Sequence, residues 1–347
     1  MGATTRRVIL RPVTPESGKL KLILPTAVRT LAVHDVVVCT YLAAIALAVL
    51  VAPADPLRTR CLRQSWGLFA VTAAVVGAFR SRLLGRNAVA SLLYRTALVG
   101  AIVASYLMLR GVLPVVSPGT LDRELHALDL ALFGGEPAIW MERFASRPAT
   151  QWFAFWYFAY FAVLAAYAAP LWLARSWRPR LANELCLGIA LTFCTNHLLY
   201  IAVPGWGPHV FLADRFQAPL PDGPFTAAVR NAVSAGGALK DIFPSLHTAA
   251  PTMLALFAFR HRHEPPFPVA WPLTAFAALN GTIATMFLRW HYAVDVVAGL
   301  ALAFAVSAAS ARLADWEAAR RSRAGYGPAW PPLAREPAED RVGSRRY

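Results

Sequence analysis

Phe243-Pro-Ser-Leu-His-Thr248 and Arg289-Trp-His-Tyr-Ala-Val-Asp295 are two short polar motifs inside an apolar stretch that runs from Phe243 to Gly299. Forty-three residues separate His247 from His291. That interval reads as one membrane crossing inward, a basic loop at Arg260 and Arg262, and one crossing outward. Both histidines then end on the same side of a membrane, where they can cooperate. The stretch decides the fold, because it implies helices that cross in pairs and a polar site at one end of them.

Composition extends this to the whole chain. Of 347 residues, 57% are hydrophobic and 15% charged, where soluble domains carry about 25%. The mean hydropathy is +0.46. The expected fold is an all-α polytopic membrane helix bundle of about eight spans around a six-span catalytic core. The net charge of +15 does not point to nucleic acid. Its arginines sit in short segments between apolar runs and in the tails, the pattern of cytoplasmic loops. A nucleic-acid surface would need a basic face on a soluble fold. Three of the four cysteines (Cys39, Cys61, Cys186, Cys194) fall in apolar runs, so free thiols are expected rather than a disulfide framework. The first apolar run follows a basic tail and reads as an uncleaved span.

Taken in order, residues 1–32 form a basic tail with Arg6, Arg7, Arg11, Lys19, Lys21 and Arg29. Residues 33–88 hold two accessory spans, 34–51 and 65–79, with Arg58, Arg60 and Arg63 in the loop between them. The core covers 89–311, with spans at 89–109, 152–173, 184–203, 244–259, 269–288 and 292–311. Arg95 is expected near the inner end of its span, snorkelling to water. Residues 312–347 read as a disordered basic tail. In the charge-balanced segment 110–150, Leu121, Leu125, Leu128 and Leu132 recur at helical spacing. They suggest an amphipathic helix on the membrane surface or an ordinary capped loop helix. Trp152, Trp156, Trp172 and Trp177 fit interfacial belts. With the amino terminus inside, the basic loops after spans two, four and six fall inside, and only the three-arginine loop breaks the rule. This suits a bacterial inner membrane, with both termini cytoplasmic and the site on the outer face.

That topology brings Pro204 to Val210, His247 and His291 to the outer face. Histidine at a membrane helix end is costly unless paired or solvated, which favours a function. His291 and Asp295 lie four residues apart, about 6 Å along one helix face. The carboxylate can fix the imidazole tautomer and stabilise the cation formed when it reacts. His291 is then the candidate nucleophile, and His247 the candidate acid that protonates a leaving oxygen. A phosphoryl group suits a histidine nucleophile and needs donors around its oxygens. Lys240, Arg289, His209, the Ser245 hydroxyl and the first N–H groups of the sixth span are the candidates. Arg289 has headgroups as an alternative, and Lys240 has Asp241. No metal or cofactor is implied: Asp122, Glu124 and Asp129 lack the clustering that Mg²⁺ requires.

Phe243 to His247, with His291 to Asp295, resembles the type 2 phosphatidic acid phosphatase superfamily. Pro-Ser-Leu-His in place of Pro-Ser-Gly-His resembles its inositol-phosphorylceramide synthase-like branch. So do Thr285 to Leu288, Gly299, and Leu128 to Gly134 with Pro137. The likeness covers roughly residues 90–311. It implies metal-independent phosphoryl transfer through a phosphohistidine, with His291 as nucleophile, Asp295 orienting it, His247 as general acid and Ser245 on the phosphate. Two phosphate-binding elements of the superfamily depart from its pattern. A Lys followed by Arg-Pro is replaced by Pro204 to His209, and an arginine six residues before the second histidine is Thr285. His209, Lys240 and Arg289 are the candidate replacements. The branch implies a phospholipid donor whose phosphorylated headgroup, such as inositol phosphate, passes to a lipid or alcohol hydroxyl. The alternative is a lipid or polyprenyl phosphate phosphatase with the same residues. A transporter or non-catalytic scaffold is the alternative of another class; Asn196-His197 in the fifth span is the feature that suggests it.

Overall fold

The computed structural model describes residues 27–85, 87–173 and 178–333. The basic tail at 1–26, Trp177 and the last residues from 334 lie outside them. Helices account for most of the described residues, which contain no strand. In chain order they are α1 (Val33–Val51), α2 (Arg58–Arg80), α3 (Ala88–Val116), α4 (Asp122–Phe133), α5 (Pro137–Met141), α6 (Arg147–Leu173), α7 (Pro179–Ala202), α8 (Pro208–Phe211), α9 (Pro224–Gly236), α10 (Leu246–Arg260), α11 (Phe267–Phe287) and α12 (Ala293–Arg323). Six of them (α1, α2, α3, α6, α7 and α12) are long and apolar enough to cross a membrane. The fold is the expected polytopic helix bundle.

α10 and α11 complete it. α10 packs against α6, α7, α11 and α12 and is its central helix. Ala249, Ala250 and Ala258 are wholly buried on it, and such small side chains let neighbouring backbones approach closely. Gly299 on α12 is one such approach: a Cβ there would lie 2.7 Å from the Ser245 carbonyl oxygen. An ion pair and a hydrogen bond fix the far end of α10, where Arg260 and His261 reach Glu184 of α7 at 2.5 and 3.1 Å. The C-termini of α3, α7 and α11 therefore share one end of the bundle with the N-termini of α6, α10 and α12. α1 joins this core through α2, α3 and α7.

Several sequence expectations are corrected. α2 begins at Arg58, so Arg58, Arg60 and Arg63 belong to a helix rather than a loop. Arg58 is spent on the C-terminus of α1, donating to the Val49 and Leu50 carbonyls. Arg95 does not snorkel: it is 1% exposed and donates to the carbonyls of Pro331 and Trp172 at 2.6 and 2.7 Å. The segment from 312 to 333 is not a loose tail. α12 continues to Arg323, and Trp330 is buried with its Nε1 on the Leu171 carbonyl. Between 204 and 243 the long loop carries α8 and α9. α4 also differs from a surface helix with a leucine stripe. Leu125 is buried together with Asp122 and Asp129, while Leu128 and Leu132 are exposed on the other side. Its acids face inward because they have backbone partners there.

Candidate active site

The turn between α11 and α12 sets the second histidine. The Thr285 carbonyl accepts from the N–H groups of both Trp290 and His291, at 3.0 and 3.2 Å. Closing so tight a turn puts Arg289 at φ 68°, a left-handed conformation that non-glycine residues rarely adopt. α12 then starts on two carboxylates. Asp295 accepts from the Tyr292 N–H at 3.0 Å, and Asp129 of α4 accepts from Ala293 and Val294 at 2.7 and 2.8 Å. Helix starts leave such N–H groups unpaired and carry partial positive charge, so both acids are placed where they stabilise.

Asp295 has a second task. Its Oδ2 lies 3.4 Å from Nδ1 of His291. That is long for a hydrogen bond, as catalytic pairs often are before substrate binds. His291 is 4% exposed. Burial lowers its pKa to about 4, against the pull of the Asp241 charge and a hydrogen bond to the Ile242 backbone. It is therefore neutral at pH 7, the state a nucleophile needs.

The first histidine is placed by α10. Ser245 is its N-cap residue, and the Ser245 N–H donates to the Asp295 carbonyl at 3.0 Å, which ties the two motifs together. Asn196 of α7 donates to the Pro244 carbonyl at 3.0 Å. The His247 ring lies between Tyr157 and Tyr160 of α6, with centroids 4.0 and 4.1 Å away. Its Nε2 is buried without a partner among the described residues. The Ser245 hydroxyl is buried and accepts from Thr248 at 3.1 Å. The N–H groups of Leu246 and His247 have no partner among the described residues.

Pro204 to His209 reaches the same place. The Asp122 carboxylate accepts from Trp206 and Gly207 N–H at 2.9 and 2.8 Å, and from the Tyr292 hydroxyl at 3.1 Å. Gly207 has φ 86°, and a Cβ on it would lie 2.3 Å from the Trp290 carbonyl oxygen, so this contact requires glycine. His209 N–H donates to the Arg289 carbonyl at 2.8 Å, and its ring lies 4.3 Å from Trp290. Nδ1 of His209 is buried and unpartnered. Burial, and then repulsion between the two imidazoles when His291 is also protonated, lower its pKa to about 4.

His247, His291, Asp295, Ser245 and His209 are thus brought together. The two cations are placed differently. Lys240 does not pair with Asp241: its Nζ donates to the carbonyls of Ser117, Pro118 and Gly119, at 3.2, 2.8 and 3.2 Å, which closes the C-terminus of α3. All three ammonium donors are used there. Arg289 Nη2 donates to Glu142 and to the Ala218 carbonyl, at 3.0 and 2.9 Å, and the guanidinium lies over Phe216. Both hold the loops around the site.

Three acids escaped the sequence reading. Asp122 and Asp129 are described above, and their seven-residue spacing on one helix face was the available signal. Asp129 also acts on Glu136. Burial, then the Asp129 charge, raise the Glu136 carboxyl to about 8, and its Oε2 lies 2.8 Å from His126 Nδ1. Asp241 is the third. It accepts from the Tyr106 hydroxyl at 2.9 Å, its charge acts on His291, and burial raises its pKa. His197 is wholly buried, with Nδ1 2.8 Å from the Tyr41 hydroxyl.

A family model described as the PAP2 superfamily matches residues 123–309. Both histidine motifs and Asp129 lie within that match. No curated protein and no solved structure matches the chain.

Proposed function

Because the chain belongs to the PAP2 superfamily of phosphatases and phosphotransferases, we propose that it moves a phosphorylated headgroup from a phospholipid to a lipid or alcohol hydroxyl through a phosphohistidine. The observation that carries this is the meeting of His291, neutral and backed by Asp295, with His247, whose Nε2 is buried and unpartnered. Such a nitrogen is costly to bury unless something arrives to use it.

In the first step Nε2 of His291 attacks phosphorus. The P–O bond to the leaving alcohol breaks, and His247 gives that oxygen a proton. Asp295 stabilises the imidazolium that forms. In the second step the acceptor hydroxyl attacks phosphorus, His247 takes its proton, and the N–P bond breaks. Ser245 and the N–H groups of Leu246 and His247 at the start of α10 suit the non-bridging oxygens. His209 supplies a further nitrogen where the superfamily's basic pair is missing. The chemistry asks for no metal. Charge distribution supports an outer-face site with both termini in the cytoplasm. An inositol-phosphate headgroup is the substrate the motif variant favours.

The test is a trapping experiment. Purified enzyme given phospholipid labelled at phosphorus should retain acid-labile label, and His291→Ala should retain none. Label on His291→Ala sinks the nucleophile assignment. Adding alcohols decides the acceptor: labelled ester means transferase, and inorganic phosphate alone means a phosphatase. Activity that survives EDTA and falls with vanadate fits the scheme, whereas loss on chelation points to metal chemistry.

A further inference from the structure

At the end of the bundle opposite His291 lies a cavity of about 450 Å³, and every residue that lines it falls outside residues 123–309. The family match therefore assigns it nothing. Phe79, Tyr326 and Pro331 contribute apolar walls, and Arg80, Arg82 and Arg321 contribute charge. Among the described residues no acidic side chain lines it. Asp35 and Glu317 stand behind, on Arg80 and Arg321.

The arginines are incompletely used. Arg80 is 5% exposed. Its Nε donates to Asp35 at 2.6 Å and its Nη2 to the Tyr94 hydroxyl and, at 2.9 Å, the Ala329 carbonyl, while Nη1 has no hydrogen-bond partner among the described residues. Arg321 is 6% exposed. Its Nε donates to Gly327 at 2.7 Å and its Nη1 to Thr30 at 3.1 Å, while Nη2 has no hydrogen-bond partner among the described residues. Arg82 has no ion pair or hydrogen bond from its side chain among the described residues, and it is held at the cavity by a turn with φ 66°. Three arginines that line one cavity, each with guanidinium N–H groups unused among the described residues, suit phosphate oxygens. The apolar walls suit the body that carries the phosphate.

We propose that this cavity binds the phosphate headgroup of an anionic phospholipid from the leaflet at that end, separately from catalysis. Basic pockets between membrane helices on the cytoplasmic side are suited to such headgroups. Residues 326–333 form one wall. They are held by Arg80 on Ala329, Arg95 on Pro331 and Trp330 on Leu171, so ligand binding should tighten this strap.

The experiment uses the full chain in nanodiscs of phosphatidylglycerol or of phosphatidylcholine. Amide hydrogen exchange of residues 326–333 is read by mass spectrometry, and retained lipid by native mass spectrometry. Phosphatidylglycerol should slow that exchange relative to phosphatidylcholine. Arg82→Glu and Arg82→Gln should weaken retention about tenfold, the loss expected for one charge-assisted hydrogen bond. Arg82 is exposed, so both variants should fold. His291→Ala should leave the effect intact. An equal effect in phosphatidylcholine, no change in the Arg82 variants, or loss of the effect in His291→Ala overturns the proposal. Protection by inorganic phosphate alone, at millimolar concentration in phosphatidylcholine, would keep the anion site and make a soluble phosphate its ligand.

Discussion

The two ends of this bundle are built with opposite chemistry. Around the histidines, carboxylates take backbone N–H groups: Asp122 on Trp206 and Gly207, Asp129 on Ala293 and Val294, Asp295 on Tyr292, Glu142 on Gln217 and Ala218. At the other end, arginines take backbone carbonyls: Arg80 on Ala329, Arg95 on Trp172 and Pro331, Arg320 on Leu31, Arg321 on Thr30 and Gly327. Acids suit helix starts and cations suit helix ends, so each set also complements the helix dipoles it meets. The consequence for function is asymmetric. The acidic end fixes the backbone without using imidazole nitrogens, and His247 and His209 stay open to a substrate. The basic end fixes the backbone and keeps guanidinium nitrogens open to an anion.

The strongest way to break this comparison is at the nucleophile. His291→Ala should lower turnover by at least about 10⁴-fold, since the proposed mechanism carries the phosphoryl on its Nε2. Helix content and elution volume should stay as in the parent. Asp295→Asn should cost about 10²- to 10⁴-fold, because an amide neither fixes the tautomer nor stabilises the imidazolium. It also loses a charged cap on the Tyr292 N–H. Measuring turnover beside thermal stability separates the two roles. Comparable losses of turnover in Asp295→Asn and Asp129→Asn would mean that both acids act only by holding α12.

A smaller effect sharpens the role of the supporting acids. Glu136 has a folded pKa of about 8, above its ordinary 4.5, because of burial and then the Asp129 charge. The folded protein thus holds this proton more tightly than the unfolded chain. The associated stability is full below 4.5 and is lost as pH rises through about 8. Once Glu136 ionises, it repels Asp129, which holds the first N–H groups of α12. Turnover should therefore decline above about pH 8, and Glu136→Gln should remove that decline. His291 gives the opposite limb: with its pKa at about 4, activity should fall only as pH drops toward that value. An unchanged alkaline limb in Glu136→Gln would detach Glu136 from the site.

The candidate triad was legible because its geometry is local. Asp295 in the first turn of α12 follows His291 by only four residues, and a pair of crossings returns His247 to the same end. Ser245 followed from the same motif. The supporting acids were not legible, because their partners are backbone groups far along the chain. Asp129 meets Ala293 and Val294, and Asp122 meets Trp206, Gly207 and Tyr292. The leucine spacing of α4 drew attention to its wrong face. Charge alone is also ambiguous at Lys240 and Arg289, since a cation near the candidate site can serve a helix end or a loop as readily as a phosphate. Arg95 failed for the same reason at the other end: whether a membrane arginine snorkels or is buried depends on carbonyls supplied by residues 172 and 331.

That arginine supplies the smallest expected effect on activity and the cleanest contrast between the two ends. Arg95 is 1% exposed, and its charged donors satisfy the Pro331 and Trp172 carbonyls while its guanidinium lies 5.5 Å from the Trp330 ring. Hydrogen bonds from charged donors contribute about 1.5–3 kcal/mol each, and the carbonyls left behind would be buried without partners. Arg95→Met should therefore lower stability by about 2–4 kcal/mol and free residues 326–333 for hydrogen exchange. Nothing in the site touches Arg95, so turnover of the folded fraction should stay within about twofold. If turnover instead falls together with stability, the two ends are coupled through α3. The basic end would then be part of the catalytic machinery rather than its anchor.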